Sequence, residues 1–168
     1  DPWEVNNLAE NPDYEKVLSR MRKETTDWMR EIRDVGLIPE SEYSKFAGDR
    51  SMYDYMRSPA CPLDKLIEAS ELAIYGKAED ISSMINFLKD DHSAIRYWGA
   101  VGLLRLKEKA RMATGDLEEA LNDESSAVAT IAAETLYYLG NKEEAINVYT
   151  NILKDTLNYN MIDRAFVL

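Results

Sequence analysis

The feature that most constrains the fold of this 168-residue chain is a pattern that returns every 33 residues. The segment 87–106, FLKDDHSAIRYWGAVGLLRL, aligns with 120–139, ALNDESSAVATIAAETLYYL. The matched positions are pairs of Asp, Ala and Leu: Asp90 with Asp123, Ala100 with Ala133, and Leu103 with Leu136. A weaker third copy, 152–168, has the same residue types 32 residues further on, at Asp155, Ala165 and Leu168. Repeats of this length are typical of helical solenoids, in which each helix pair buries its apolar face against its neighbours.

The packing of stacked helices explains which residues repeat. Alanine lets one helix approach the next closely, and leucine supplies apolar surface for the shared core. Each aspartate lies at a turn, where its carboxylate ends one helix or accepts hydrogen bonds from free amides at the start of the next. We therefore predict an all-α fold, with a short right-handed α-solenoid of paired helices over residues 63–168.

The first copy, DDHSAIRYWGAVGLL, resembles a HEAT repeat. Asp90, Ile95 and Arg96 match that family's Asp…Val/Ile-Arg pattern in the inter-helix turn and second helix. The second copy departs from it with Ala129 at the arginine position, and the third with Asn160 at the aliphatic position. The segment 141–153, NKEEAINVYTNIL, also resembles the second helix of a tetratricopeptide repeat, and the period alone does not separate these families. We predict HEAT-like repeats over 63–168.

One long amphipathic helix is predicted before the repeats, over residues 12–34. Asn11 is a good N-cap, Pro12 suits the first helical position, and Gly36 is the expected stop. Residues at three- and four-residue steps form one stripe for burial: Tyr14, Val17 or Leu18, Met21, Thr25, Trp28 and Ile32. Residues 41–62 carry glycine, prolines and mixed charge, and are predicted to be a connector with one helical turn near 51–57.

The first 40 residues, DPWEVNNLAENPDYEKVLSRMRKETTDWMREIRDVGLIPE, resemble the C-terminal tail of a sulfatase, closest to the sulfamidase (heparan N-sulfatase) branch. The family's final turn has the pattern D-P-x-E-x-x-N-L-A, which matches Asp1, Pro2, Glu4, Asn7, Leu8 and Ala9. The helix and exit that follow in the family match Leu18, Met21, Arg22, Trp28, Asp34, Gly36, Pro39 and Glu40. The resemblance implies that residues 1–40 are the tail of a small C-terminal subdomain. We therefore expect the chain to be a piece from the end of a larger enzyme.

The resemblance also implies what the parent enzyme would contain. Sulfatases use a formylglycine, made from Cys or Ser in a C/S-x-P-x-R motif, and a divalent cation that is typically calcium. Cys61 fails this motif, because proline follows it directly in CPLDK, and no pair of aspartates near the start replaces the metal site. We therefore expect no catalysis, catalytic residue, metal or cofactor in this chain itself. Periplasmic or secreted localisation is implied by the family.

Charge and hydropathy limit the partners of the chain. It carries 31 acidic and 20 basic residues, a net charge of −11, which repels a phosphate backbone and argues against nucleic-acid binding. The longest apolar runs, such as 98–104, are far shorter than the roughly 20 residues that a membrane span needs. The expected partners are the upstream sulfatase catalytic domain and a protein bound by the repeats.

Aromatic residues are the candidates for an interaction surface. Trp3 and Trp28 are expected to pack against the catalytic domain or the connector, and to be exposed in its absence. The pairs Tyr97–Trp98 and Tyr137–Tyr138 lie in second helices of repeats, where one member should face the core and the other a concave surface. Core packing is the favoured role of these rings. For His92, in a turn, capping or exposure is favoured over metal ligation.

Two classes of function are compatible with these observations. In the first, the chain is a non-catalytic sulfatase region that stabilises the enzyme, mediates assembly or shapes substrate access. In the second, the repeats are an autonomous protein-binding module tethered by the sulfatase-like tail. A connector packed on the helices favours an integrated unit, whereas a free connector and an aromatic groove favour partner binding.

Overall fold

The structure, a computed structural model, describes residue 3 and residues 5–154 of the chain. Within these residues all regular secondary structure is helical and no strand is present, so the predicted all-α class is confirmed there. None of the described helices combines the length and apolar character needed to cross a membrane. The chain divides into two compact units, Asp1–Asp34 and Val35–Leu168, which are described separately below.

The first unit consists of a turn and one long helix. A 3-10 turn over Pro12–Tyr14 leads into α1, Glu15–Ile32. The Asn11 side chain accepts a hydrogen bond of 3.0 Å from the amide two residues on, as expected of an N-cap. The helix stops at Arg33, which adopts a left-handed conformation with φ of 60°. The stop predicted at Gly36 is therefore one turn late, and Gly36 lies in a 3-10 turn of the second unit.

The second unit begins with the stretch predicted to be a connector, which contains more helix than expected. A 3-10 turn, Glu40–Glu42, precedes α2, Tyr43–Ala47, and α3, Met52–Met56, follows. The Ser51 hydroxyl caps α3 by accepting the Asp54 amide at 3.1 Å. Several apolar residues of this stretch are buried: Leu37, Ile38, Ala47, Tyr55 and Met56. The stretch is therefore a packed part of the second unit.

Six further helices complete the described part of the second unit. They are α4, Leu63–Tyr75; α5, Ile81–Leu88; α6, Ser93–Leu106; α7, Thr114–Ala120; α8, Ser126–Leu139; and α9, Lys142–Lys154. The first sequence copy runs from the end of α5 through α6, and the second from the end of α7 through α8. Helix α6 packs on α4, α5 and α8, whereas α8 packs on α6, α7 and α9. Each copy thus contacts its neighbours along the chain.

The core lies between these helices, and the repeated apolar positions lie inside it. Ala100, Leu103, Ala133 and Leu136 have no solvent-exposed surface. The largest cluster of the described core runs from α5 to α8, and includes Ile81, Met84, Leu88, Leu117, Val128 and Leu139. The corresponding residues of the third copy, Asp155, Ala165 and Leu168, lie outside the described residues.

Two glycines allow α6 to approach its neighbours at backbone distance. A Cβ added at Gly99 would lie 2.6 Å from the Leu88 nitrogen and 2.7 Å from the Met84 oxygen, both atoms of the α5 backbone. A Cβ at Gly102 would lie 2.9 Å from the Met84 sulfur, at the end of a flexible side chain. Gly99 therefore requires the absence of a side chain for α5 and α6 to keep their spacing. At Gly102 the added carbon would meet the α4 backbone less closely, 3.2 Å from the Ala73 Cα.

We predict opposite effects for alanine at two helical glycines. Gly99→Ala is expected to lower the free energy of unfolding by about 2 kcal/mol, because a backbone cannot yield as a side chain can. Gly115→Ala in α7, where nothing lies within 4 Å of the added carbon, is expected to raise it by about 0.5 kcal/mol. Urea unfolding followed by circular dichroism measures both. Equal effects at the two positions would contradict the close approach of α5 and α6.

Candidate interaction surfaces

The first candidate surface is the apolar face of α1, formed by Tyr14, Val17, Leu18, Met21, Trp28 and Ile32. None of the residues of α1 is buried, and Trp28 is 59% exposed. Trp3, in the turn before the helix, is 83% exposed. Leu8 and Ala9 join the first turns of α1 in an open apolar groove of about 210 Å³. The stripe predicted for burial is therefore present but uncovered within its own unit.

The opposite face of α1 is occupied by ion pairs within the helix. Lys23 pairs with Asp27, and Arg30 lies 3.4 Å from the same carboxylate. The hydrogen bond from Lys23 holds the pKa of Asp27 below its usual value. Such exposed pairs add little to stability, and most of the stability of a helix in a protein comes from packing of its apolar face. A contiguous exposed apolar face on such a helix is typical of an interface.

The second candidate surface, the pair Tyr97 and Trp98 on α6, is engaged within the second unit. The Trp98 indole N–H donates to the Leu37 carbonyl at 2.9 Å, and the two rings meet edge to face with centroids 5.5 Å apart. Tyr97 packs against the core cluster. Burial, followed by the nearby Glu134 carboxylate, raises the pKa of Tyr97. Trp98 thus links α6 to Leu37, near the start of the second unit.

The third candidate surface, Tyr137 and Tyr138 at the end of α8, is exposed. We expected one ring of the pair to face the core, but Leu136 and Leu139 take the core positions on either side. The two tyrosine rings lie edge to face with centroids 6.2 Å apart. Lys142 lies 5.2 Å from the centre of the Tyr137 ring, and Lys107 lies 5.9 Å from that of Tyr138. Their role in binding stays a prediction.

A buried ion pair joins the first and second copies. Arg96 donates to both carboxylate oxygens of Asp123 at 2.7 and 2.8 Å, and to the backbone carbonyl of Asp90 at 2.9 Å. The side chains of Arg96 and Asp123 are only 11% and 9% exposed. Asp123 also accepts the amide of Ser125, the N-cap of α8, at 2.8 Å. The Asp123 carboxylate therefore holds the turn before α8 and also binds Arg96 of the preceding copy.

Asp90 occupies the equivalent place one copy earlier. It accepts the amide of His92, the N-cap residue of α6, at 2.9 Å and pairs with Lys65 of α4. Burial alone would raise the pKa of Asp90, but the hydrogen bonds from Lys65 and the His92 amide outweigh it and lower the pKa. One copy further on, Ala129 stands at the arginine position and lines an open cavity of about 310 Å³ with Val148 and Ile152 of α9. A lysine pairs with the first aspartate and an arginine with the second, whereas the next equivalent position, Ala129, carries no cation.

The sequence did not predict the buried carboxylate of Glu42, which contacts the starts of both α6 and α8. Glu42 is 5% exposed and accepts hydrogen bonds from the hydroxyls of Ser93 and Ser125, the latter at 2.7 Å. A negative charge is favourable at helix N-termini, because the free amides there carry partial positive charge. The only signal in the sequence was the serine at the start of each second helix.

His92 lies beside this carboxylate and is packed rather than exposed. Its ring stacks on Phe46 of α2, with centroids 4.2 Å apart and planes 4° from parallel. Its Nε2 lies 2.8 Å from the Tyr55 hydroxyl of α3, whereas its buried Nδ1 has no hydrogen-bond partner among the described residues. Burial lowers the pKa of His92, and burial raises the pKa of Tyr55 to about 12. No group of three or more potential metal ligands occurs in the described part of the chain.

Comparison with known proteins finds similarity over a short stretch. No protein-family model matches the chain, and no solved structure matches it either. A curated relative, named an ulvan-active sulfatase, from Formosa agariphila, is 48% identical over 42 residues. The match covers 25% of this chain and 7% of the relative, and its length is close to that of the 40-residue segment that resembles sulfatases. The chain is therefore similar to a sulfatase over a quarter of its length.

We predict that the buried pair stabilises the second unit far more than an exposed pair does. Arg96→Ala is expected to lower the free energy of unfolding by about 2 kcal/mol, because it leaves the largely buried Asp123 carboxylate without its cation. The matched control is Lys89→Ala. The Lys89 ammonium lies 2.6 Å from the Asp116 carboxylate and is more exposed than Arg96, so its removal should cost less than about 1 kcal/mol. Denaturant unfolding of both variants tests this, and a cost below about 1 kcal/mol for Arg96→Ala would contradict it.

Proposed function

We propose that this chain is the non-catalytic C-terminal region of a sulfatase that acts on sulfated glycans. The observation that carries the proposal is the uncovered apolar face of α1, considered with the 42-residue similarity to a sulfatase. A helix of this amphipathicity is stabilised mainly by burial of its apolar face. We infer that a sulfatase catalytic domain, upstream in the same parent protein, covers this face, with Trp3 and Trp28 as its anchors.

The proposed parent supplies the chemistry that this chain lacks. Formylglycine and calcium would belong to the catalytic domain, and the chain itself would have no catalytic residue. Cys61 is buried, with its sulfur 3.7 Å from that of Met56, which suits a packing role. Periplasmic or secreted localisation is part of the same proposal. The role of the region would be to stabilise the enzyme, mediate assembly or shape access of substrate.

The second unit is proposed to be a short right-handed solenoid of HEAT-like repeats. Support comes from the equivalent aspartates, Asp90 and Asp123, which each bind the N-cap amide of the following helix. Each also binds a cation from two helices before that one, on α4 and α6 respectively. The order of contacts, α4 with α6 and α6 with α8, also suits stacked helix pairs. The packed stretch 37–61 favours an integrated unit over repeats on a free connector.

The second candidate function is an autonomous protein-binding module. The observation that favours it is the exposed pair Tyr137 and Tyr138, each with a lysine near its ring. Exposed tyrosines with an apolar body and a polar tip are common at protein interfaces. In this case the α1 face would have no sulfatase partner, and binding would depend on α8 instead.

The test is association of the chain with the catalytic domain encoded upstream of it in the parent gene. We expect an open reading frame that contains a C/S-x-P-x-R motif, and a one-to-one complex by size-exclusion chromatography with light scattering. Trp28→Ala should weaken the complex at least about tenfold, because it removes a large apolar anchor.

Two controls separate the candidate functions. Lys16→Ala, on the polar face of α1, should leave the affinity unchanged. Tyr138→Ala should also leave it unchanged if the α1 face is the interface. The proposal is wrong if no such reading frame exists, if the two proteins do not associate, or if Trp28→Ala and Lys16→Ala bind equally well.

A further inference from the structure

An ionisable ring at the N-terminus of α6 contacts the α2–α3 stretch, residues 43–56. His92 is the N-cap residue of α6, and its ring contacts Phe46 on α2 and Tyr55 on α3. We propose that His92 is an acid-sensitive latch, and that protonation of its ring loosens the α2–α3 stretch from α6. The inference is independent of the sulfatase proposal, because it concerns contacts within the second unit alone.

When the His92 ring is neutral, its N–H and the Tyr55 O–H can each have an acceptor. The Nε2–H can donate to the Tyr55 oxygen at 2.8 Å, and the Tyr55 hydroxyl can donate to the Ala60 carbonyl at 3.4 Å. The buried Nδ1 then carries only a lone pair. An unused lone pair is a smaller loss than a donor without an acceptor, because a buried N–H bears the full cost of leaving water.

In the protonated ring, Nδ1 becomes such a donor. It has no partner among the described residues, and its surface is closed to solvent. The charged ring must therefore either remain buried with one N–H unsatisfied or move until water reaches it. Movement of the ring breaks the stack on Phe46 and the hydrogen bond to Tyr55, which are its two contacts with the α2–α3 stretch.

The charged groups around the ring do not reverse this conclusion. Asp90, in the turn before α6, and Glu42, before α2, favour the protonated ring, whereas Lys45 on α2 and Arg96 on α6 disfavour it. Both carboxylates already accept other hydrogen bonds, Asp90 from Lys65 and its own turn, Glu42 from two serine hydroxyls. Tyr55 is the remaining titratable neighbour, and its pKa of about 12 keeps it neutral at physiological pH. Burial dominates, so the pKa of His92 lies below its ordinary 6.5.

The direction of the pH dependence follows from that shift. Because the folded ring binds its proton less tightly than the unfolded one, its contribution to stability is fully present above about pH 6.5. The contribution is lost as the pH falls from 6.5 through the pKa of the folded state. Between these two pH values, the equilibrium constant for release of the α2–α3 stretch rises by up to about tenfold for each unit by which the pH falls.

The first experiment needs no variant, because the chain contains one histidine. The ring carbon and proton signals of His92 are followed by NMR from about pH 8 to about pH 5. We expect a midpoint below 6.5 in the folded protein, with the signals of Phe46 and Tyr55 shifting at the same midpoint. A midpoint at or above 6.5, or titration that leaves Phe46 and Tyr55 unchanged, would overturn the latch.

A second experiment follows the release of the stretch through Trp98, whose indole N–H binds the Leu37 carbonyl just before it. Replacing Trp3 and Trp28 by Phe leaves Trp98 as the one tryptophan and changes no residue of the second unit. We expect its fluorescence to shift towards that of exposed indole as the pH falls through the His92 midpoint. His92→Gln in the same background should give no shift over this range. The same shift in His92→Gln would assign the change to another group and overturn the proposal.

Discussion

The described part of the second unit depends on one buried carboxylate. Glu42 precedes α2 yet accepts hydrogen bonds from serines at the starts of α6 and α8, so three separate stretches of the chain meet at its oxygens. A charge can be buried at this point because two hydroxyls replace water that it loses, and the partial positive charge of two helix N-termini favours it. With this contact, His92 can stack on Phe46 and Trp98 can reach Leu37. The carboxylate therefore places the stretch 37–61 against the repeats.

Periodic features of this fold could be predicted from sequence, because each depends on residues close together in the chain. The repeat predicted the burial of Ala100, Leu103, Ala133 and Leu136, since a stacked array presents the same face to its core in each copy. Asn11 likewise predicted the start of the first helix. The partners of Glu42 lie 51 and 83 residues away, so the serines at the starts of α6 and α8 could be seen in the sequence, but their common partner could not.

The errors also have local physical causes. The first helix ends before Gly36 because Arg33 adopts the left-handed conformation itself, at a cost of roughly 1–2 kcal/mol that is confined to one position. Both Tyr137 and Tyr138 are exposed because the core positions of the last turn of α8 belong to Leu136 and Leu139. The candidate surface of α1 was predictable as a stripe, but its degree of exposure depends on what lies outside the unit.

The contacts between neighbouring helices differ from one copy to the next, because Ala129 stands at the position that Arg96 occupies in the first copy. Arg96 of α6 pairs with Asp123 in the turn before α8, whereas Ala129 of α8 lies on an open cavity that Asp123 and Ile152 of α9 also line. The contact of the first copy with the second therefore includes a charged pair, whereas the described contact of α8 with α9 includes buried apolar residues, Ala145 and Ile152. A substitution at Arg96 leaves a charge without its partner, whereas a substitution at Ile152 changes packing alone.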